Sequence, residues 1–195
     1  MIRRLGNVFV LDTPNTSYVM GVLPTGHVEH MYYGERIQID SEEEAVALRE
    51  KHIITPGNTV YYNDENKHLT LENVCLEMSS GGRGDVREPF IEVTHADGSY
   101  TSDFLYEGMV LSQNKTPLET MPSSYEENGN VQELTILLKD KQYDLKLELH
   151  YYVFPEYDVI SRSSKFINNS KDSVQLKRLM SNQLDFEDSG YVFTT

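Results

Sequence analysis

From Tyr143 to Tyr151 the chain alternates without a fault. Tyr143, Leu145, Leu147, Leu149 and Tyr151 take the odd places, and Asp144, Lys146, Glu148 and His150 the even ones. Successive side chains of a strand point to opposite faces, so a period of two dictates a strand with one buried side and one wetted side. Residues 134–138 (Leu-Thr-Ile-Leu-Leu) precede this run across Lys139-Asp140-Lys141-Gln142, which is the grammar of a hairpin. Residues 8–11, 17–23 and 27–33 are further apolar runs, bounded by Asp12-Thr13-Pro14-Asn15 and Pro24-Thr25-Gly26. Residues 90–94, 159–166, 174–184 and 191–193 add strand candidates.

One helix is expected, over residues 41–49. Ser41 can cap the free amides, Glu44 can reach back, and Glu42, Glu43 and Glu44 suit the positive end of the helix dipole. Ala45, Val46 and Leu48 give it an apolar side, and it should end before Thr55-Pro56-Gly57. No repeat, low-complexity tract or interior linker divides the chain. The expected architecture is all-β: residues 1–195 as one large antiparallel β-sandwich with one short helix. Thr194-Thr195 follows an apolar run with no polar tail, which reads as a cut at an engineered or domain boundary.

Composition narrows the function. Among 195 residues, 38% are hydrophobic and 25% charged, enough for a packed core and unlike a disordered chain. The net charge of −14 argues against nucleic acid and anionic membrane as partners, because both need a basic footprint. A neutral ligand such as a sugar is compatible with it. Cys75 is the only cysteine, so neither an intrachain disulfide nor a cysteine-based metal site can form, and a reducing compartment is the simplest inference. Residues 1–7 lack the apolar run of a signal peptide, and no stretch approaches the roughly 18 apolar residues of a membrane span. The expected location is cytoplasmic.

The six histidines prompt a metal test. His27 and His30, three apart on a strand, fall on opposite faces, and no His-x-x-x-His accompanies them. No metal and no cofactor are expected. Neither a Gly-x-Ser-x-Gly elbow nor a Gly-x-x-x-x-Gly-Lys phosphate loop occurs. Carboxylates are plentiful, so counting alone leaves room for a glycosidase pair, two carboxyls about 5–5.5 Å apart in a retaining enzyme. Zero tryptophan sits badly with a complete sugar-processing cleft.

Two segments carry more information. Gly81-Gly82-Arg83-Gly84-Asp85-Val86-Arg87-Glu88-Pro89 is a glycine-rich turn whose backbone another chain or a ligand can approach closely. Two roles are open for its charges. Asp85 can cap the loop amides while Arg87 pairs with a carboxylate, or both can face a ligand or a subunit. The second segment runs from Tyr151 to Ser163, with Phe154, Glu156, Tyr157, Asp158, Val159, Ile160 and Arg162 in a strand, a turn and a strand. Its aromatics suit the space between sheets, and Asp158 and Arg162 are placed to pair across the hairpin.

In order and separation these segments resemble two signatures of the amino-terminal domain of bacterial α-galactosidases in glycoside hydrolase family 36. Val86 stands where that pattern usually has an aromatic residue, and Pro155 is inserted at the turn. The resemblance implies a super-sandwich of the galactose-mutarotase-like kind, belonging to an enzyme that hydrolyses terminal α-galactosyl groups with retention. The family's nucleophile, on a Lys-x-Asp-x-Asn motif, lies in a β/α barrel, and no such motif occurs here. The resemblance further implies that the sandwich packs on that barrel, mediates tetramer assembly, and sends a loop toward a neighbouring subunit's active site. By position that loop is His52 to Asn58, with Asn58 in place of an aspartate that bonds galactose hydroxyls. His52, Pro56, Gly57, Asn58, Asp85 and Arg87 are therefore the candidates for finishing the substrate pocket or the subunit contact.

Three classes of function follow. The first is an accessory and assembly domain of an α-galactosidase, inactive alone, whose partners are its own barrel, neighbouring subunits and the α-galactoside. The second is an autonomous carbohydrate-binding β-sandwich, marked by a solvent-exposed aromatic platform. The third is an interaction or scaffold protein.

Overall fold

The structure, a computed structural model, describes residues 1–49, 60–126, 128–185, 190 and 192. Four strands, β1 (Ile2–Leu5), β2 (Val8–Asp12), β3 (Thr16–Val22) and β4 (Val28–Glu35), form an antiparallel meander in chain order. A second meander contains β6 (Phe104–Ser112), β7 (Gln132–Asp140), β8 (Leu145–Phe154) and β9 (Val159–Asn168). Between them in sequence lies β5 (Ile91–Thr94), which pairs antiparallel with β10 (Gln175–Leu179). All three sheets feed one core. Phe9, Leu11, Tyr18 and Met20 enter it from the first meander, Ile91 and Val93 from β5, and Ile136, Leu147, Leu149 and Tyr151 from the second. Inward faces meeting in this way make the fold a β-sandwich.

The alternation places β8 as expected. Leu145, Leu147, Leu149 and Tyr151 are buried, with Leu147 lying between Leu138 of β7 and Phe166 of β9. On the other face Lys146 pairs with Glu107 at 2.7 Å, and His150 with Glu133 at 2.7 Å. The pattern overruns the strand at its start. Asp140 accepts from the amides of Gln142 and Tyr143, so Tyr143 sits in the turn and stacks its ring on His95 at 3.6 Å.

By contrast β2 is buried on both faces. Phe9 and Leu11 enter the main core, while Val8 and Val10 join Val19, Ile39 and Ala45 in a second cluster. A strand covered on both sides has no reason to alternate, which explains its unbroken apolar run.

The helix is shorter than expected, α1 (Glu42–Val46). Ser41 accepts from the Glu44 amide at 3.2 Å, but Glu44 reaches back to the amide of Asp40, one residue further than a capping box requires. Ala45 alone of the three apolar positions is buried; Val46 and Leu48 are exposed. With only one inward residue there is little tertiary packing to extend so short a helix. Strand β1 is not signalled by the sequence, since Arg3 and Arg4 interrupt its apolar character. Arg3 is held by Asp12 at 2.9 Å and by the Ile39 carbonyl at 2.7 Å. The turn into β2 uses Gly6 at φ 60°, where a Cβ would meet the Glu42 carboxylate at 1.8 Å. β10 covers only part of 174–184, and Tyr191 and Phe193 lie outside the described residues.

Candidate functional site

The chain's most elaborate polar arrangement centres on Glu77. Its carboxylate is fully enclosed, a lone charge within Val74-Cys75-Leu76-Glu77-Met78. It accepts from Tyr18 Oη at 2.6 Å and Tyr151 Oη at 2.6 Å, and stands 3.0 Å from His30 Nδ1 and 3.0 Å from Arg162 Nη2. Burial alone would raise the carboxyl's pKa; the Arg162 charge, with His30 and the Tyr151 hydroxyl, outweighs burial and holds it at about 2. Burial, foremost, pushes both tyrosine hydroxyls well above their ordinary range, so both remain donors. Arg162 also stacks over the Tyr151 ring at 4.6 Å and bonds the Gln183 carbonyl at 3.1 Å.

The expected pairing of Asp158 with Arg162 does not form. A 3₁₀ turn, Pro155–Tyr157, ends at Asp158 and leaves it left-handed at φ 56°. There it accepts from the Asn15 amide and from Asn15 Nδ2, at 3.2 and 3.1 Å, while Arg162 turns to the interior.

Asp85 and Arg87 are brought together. Asp85 accepts from the Arg87 amide at 3.1 Å, from Nε at 2.9 Å and from Nη2 at 2.8 Å. The guanidinium also reaches the carbonyls of Val74 and Leu71, at 2.7 and 3.0 Å, and the Asp185 carboxylate. Ser79 adds to the grip on the neighbouring stretch, since its amide and hydroxyl both donate to Gln183 Oε1, at 3.0 and 2.9 Å. Met180 N donates to the Phe90 carbonyl at 3.0 Å. Residues 180–185 are thus gripped by Arg87 on one side and Arg162 on the other.

His52, Pro56, Gly57 and Asn58 lie outside the described residues. What flanks them is well anchored. Upstream, Arg49 Nε donates to Glu29 Oε2 on β4 at 2.5 Å. Downstream, Val60 lies so close to Gly84 that a Cβ there would meet Val60 Cγ1 at 2.6 Å. The glycine-rich turn and Val60 are therefore neighbours. Next to them Tyr62 donates to Asp103 at 2.9 Å, with the Arg83 guanidinium 5.0 Å and Lys141 Nζ 5.4 Å from its ring centre. Burial and the Asp103 charge push the Tyr62 hydroxyl up to about 12, which keeps it a donor at neutral pH. Asp103 in turn meets His27 Nε2 at 3.1 Å. His27 and His30 serve separate carboxylates, and among the described residues no group of three or more His, Cys, Asp or Glu is placed to hold a metal ion.

A sequence model described as the glycosyl hydrolase family 36 N-terminal domain matches residues 26–195. The chain belongs to that family. The crystal structure of an α-galactosidase from Lactobacillus brevis superposes with a TM-score of 0.89 at 31% identity, over 97% of this chain and 25% of that one. The family 36 α-galactosidase AgaA of Geobacillus stearothermophilus gives 0.84 at 26% identity, over 92% of this chain and 24% of that one. The bifunctional α-galactosidase/sucrose kinase AgaSK of Mediterraneibacter gnavus is 27% identical over 92% of this chain and 19% of its own length. The family 36 domain described here therefore spans about a fifth to a quarter of these relatives.

Proposed function

We propose that this family 36 domain is a non-catalytic part of an α-galactosidase that hydrolyses terminal α-galactosyl groups of neutral oligosaccharides in carbohydrate metabolism. In this reading it packs on a catalytic barrel, supports a cytoplasmic homotetramer, and completes the substrate pocket through His52, Pro56, Gly57 and Asn58. Crystal structures of variants of the relative AgaA in complex with raffinose and with stachyose support that substrate class. The observation that carries the proposal is the contact of Val60 with Gly84, together with the Arg49–Glu29 pair that anchors the chain before residue 50. Val60, just after residues 50–59, is held against the glycine-rich turn and Arg49, just before them, against β4, and such fixed flanks are what a loop reaching a defined point outside its own domain requires. Asp85 and Arg87 act by holding the glycine-rich turn that Val60 touches.

The test is Asn58→Ala in the full-length parent enzyme. One hydrogen bond to a neutral sugar hydroxyl is worth about 0.5–1.5 kcal/mol, up to roughly tenfold in affinity. The Michaelis constant should rise or turnover fall by up to that factor, with this domain's unfolding unchanged. Unaltered kinetics and assembly would make 52–58 an ordinary surface connection. The 195-residue chain alone should not hydrolyse a chromogenic α-galactoside. Turnover that follows the protein peak through purification would overturn the non-catalytic assignment.

A further inference from the structure

Well-anchored segments carry two bare tyrosines to the same place. Tyr125 is 75% exposed and Tyr157 63% exposed. Both line one open groove of about 500 Å³, floored by Phe154 and edged by Val159 and Ser161. The backbone on either side of the groove is tied down. Glu126 accepts from the Val131 amide at 3.0 Å and the Lys115 amide at 3.4 Å, which fixes the segment bearing Tyr125. The 3₁₀ turn bearing Tyr157 is held by Asp158, whose carboxylate takes two bonds from Asn15. Phe154 is buried with Val131 and Tyr152 beneath them.

Along one side of the tyrosines runs a polar rim. Asn128 Nδ2 and Asn130 Nδ2 donate to the two oxygens of Glu156, each at 2.9 Å. These bonds hold the Glu156 carboxyl below its usual range, so it stays ionised. Each amide spends one N–H on the carboxylate, which leaves a second N–H and a carbonyl oxygen on each side chain to offer. The rim therefore presents donors and acceptors side by side, fixed in orientation.

We propose that this groove is a binding site for a neutral oligosaccharide, with a pyranose ring stacked on Tyr125 or Tyr157 and its hydroxyls bonded to Asn128, Asn130 and Glu156. Three observations select that ligand class. A sugar ring has an apolar C–H face that matches a tyrosine ring and a rim of hydroxyls that matches amide and carboxylate groups. Among the described residues no Lys or Arg lines the groove or the small recess beside it, Glu156 lines that recess, and the chain's net charge is −14, which disfavours anionic ligands. The size fits ligand sites, which run about 300–1,000 Å³, whereas a handful of side chains falls short of the roughly 800 Å² that each partner of a stable protein pair contributes. The site goes beyond the role proposed above, because its lining includes no residue that flanks 50–59.

Calorimetric titration of the 195-residue chain with raffinose tests the proposal. Saturable binding in the millimolar range is expected, weakened roughly tenfold by Tyr125→Ala or Tyr157→Ala, since one stacked ring is worth up to about a factor of ten. Tyr157→Phe should retain most of the affinity, and Asn130→Ala should lose part of it. Because both tyrosines are exposed, the variants should unfold at the wild-type urea midpoint, which separates loss of binding from loss of fold. No saturable binding by the wild type would overturn the proposal, as would binding that survives Tyr125→Ala combined with Tyr157→Ala. Self-association of the chain abolished by that double variant would also overturn it, by making the groove a contact between copies. Failure here leaves the Asn58 experiment in the parent enzyme untouched, and the reverse holds too.

Discussion

Glu77 is surrounded by groups that come from far along the chain, with Tyr18, Tyr151, Arg162 and His30 all reaching one carboxylate. Glu77→Gln would leave the Arg162 guanidinium, only 7% exposed, without its counter-charge. Unfolding free energy should fall by about 3–5 kcal/mol, the usual result of breaking one side of a buried pair, as read by urea denaturation at pH 7. The pH dependence has a definite sign. A carboxyl held at about 2 in the folded state, against 4.5 as its reference, contributes stability that is complete above pH 4.5. That contribution drains away as pH falls from 4.5 toward 2. Wild-type stability should drop through this window more steeply than that of Glu77→Gln, and parallel slopes would show that the carboxyl is not held low. The corner made by Asp85 and Arg87 is half legible in the sequence: an amide cap and an arginine–carboxylate pair are one of two open roles, but that the two residues serve each other is seen only in the fold. Glu77 leaves only one trace, a single charge in an apolar run. His30 and Tyr151 lie 47 and 74 residues away from it, distances over which local pattern says nothing.

At the scale of elements, β8 shows how much one period can decide. Leu147→Ala, at a position with 0% exposure, should cost about 2–5 kcal/mol by leaving a cavity between three strands. Lys146→Ala, one residue away on the wet face, should stay within about 0.5 kcal/mol despite its ion pair with Glu107. Chemical denaturation of the two variants side by side checks the register, and equal losses would mean that the faces are misassigned. The strands that read clearly, β2, β3, β4, β7 and β8, are those whose apolar residues are either continuous or alternating over much of their length. β1 does not, because its two arginines are satisfied by Asp12 and the Ile39 and Gly6 carbonyls, contacts that only the folded chain supplies. The helix illustrates the opposite error. Ser41 caps as its sequence suggests, but capping sets where a helix begins, and packing decides how far it goes.

The whole molecule is fastened at residues 180–185 by two arginines that reach them from different parts of the fold, Arg87 from the glycine-rich turn and Arg162 from β9. Arg87→Met removes bonds to Asp85, Asp185 and two carbonyls, and should lower stability by about 1.5–3 kcal/mol, the range for hydrogen bonds to a charged group. Limited proteolysis should then cut within 180–185 before either meander opens. Identical digestion of wild type and variant would mean that Arg87 does not hold this stretch. The two meanders also differ in a way that would be visible without any biophysics. β2 is walled in on both sides, with Val8, Phe9, Val10 and Leu11 all at 0% exposure, whereas β8 is covered closely on one side only over its first half. In a library carrying every single substitution, β2 should appear as a solid bar of intolerant positions. Residues 145–150 of β8 should appear as a comb, its teeth at Leu145, Leu147 and Leu149 and its gaps at Lys146, Glu148 and His150.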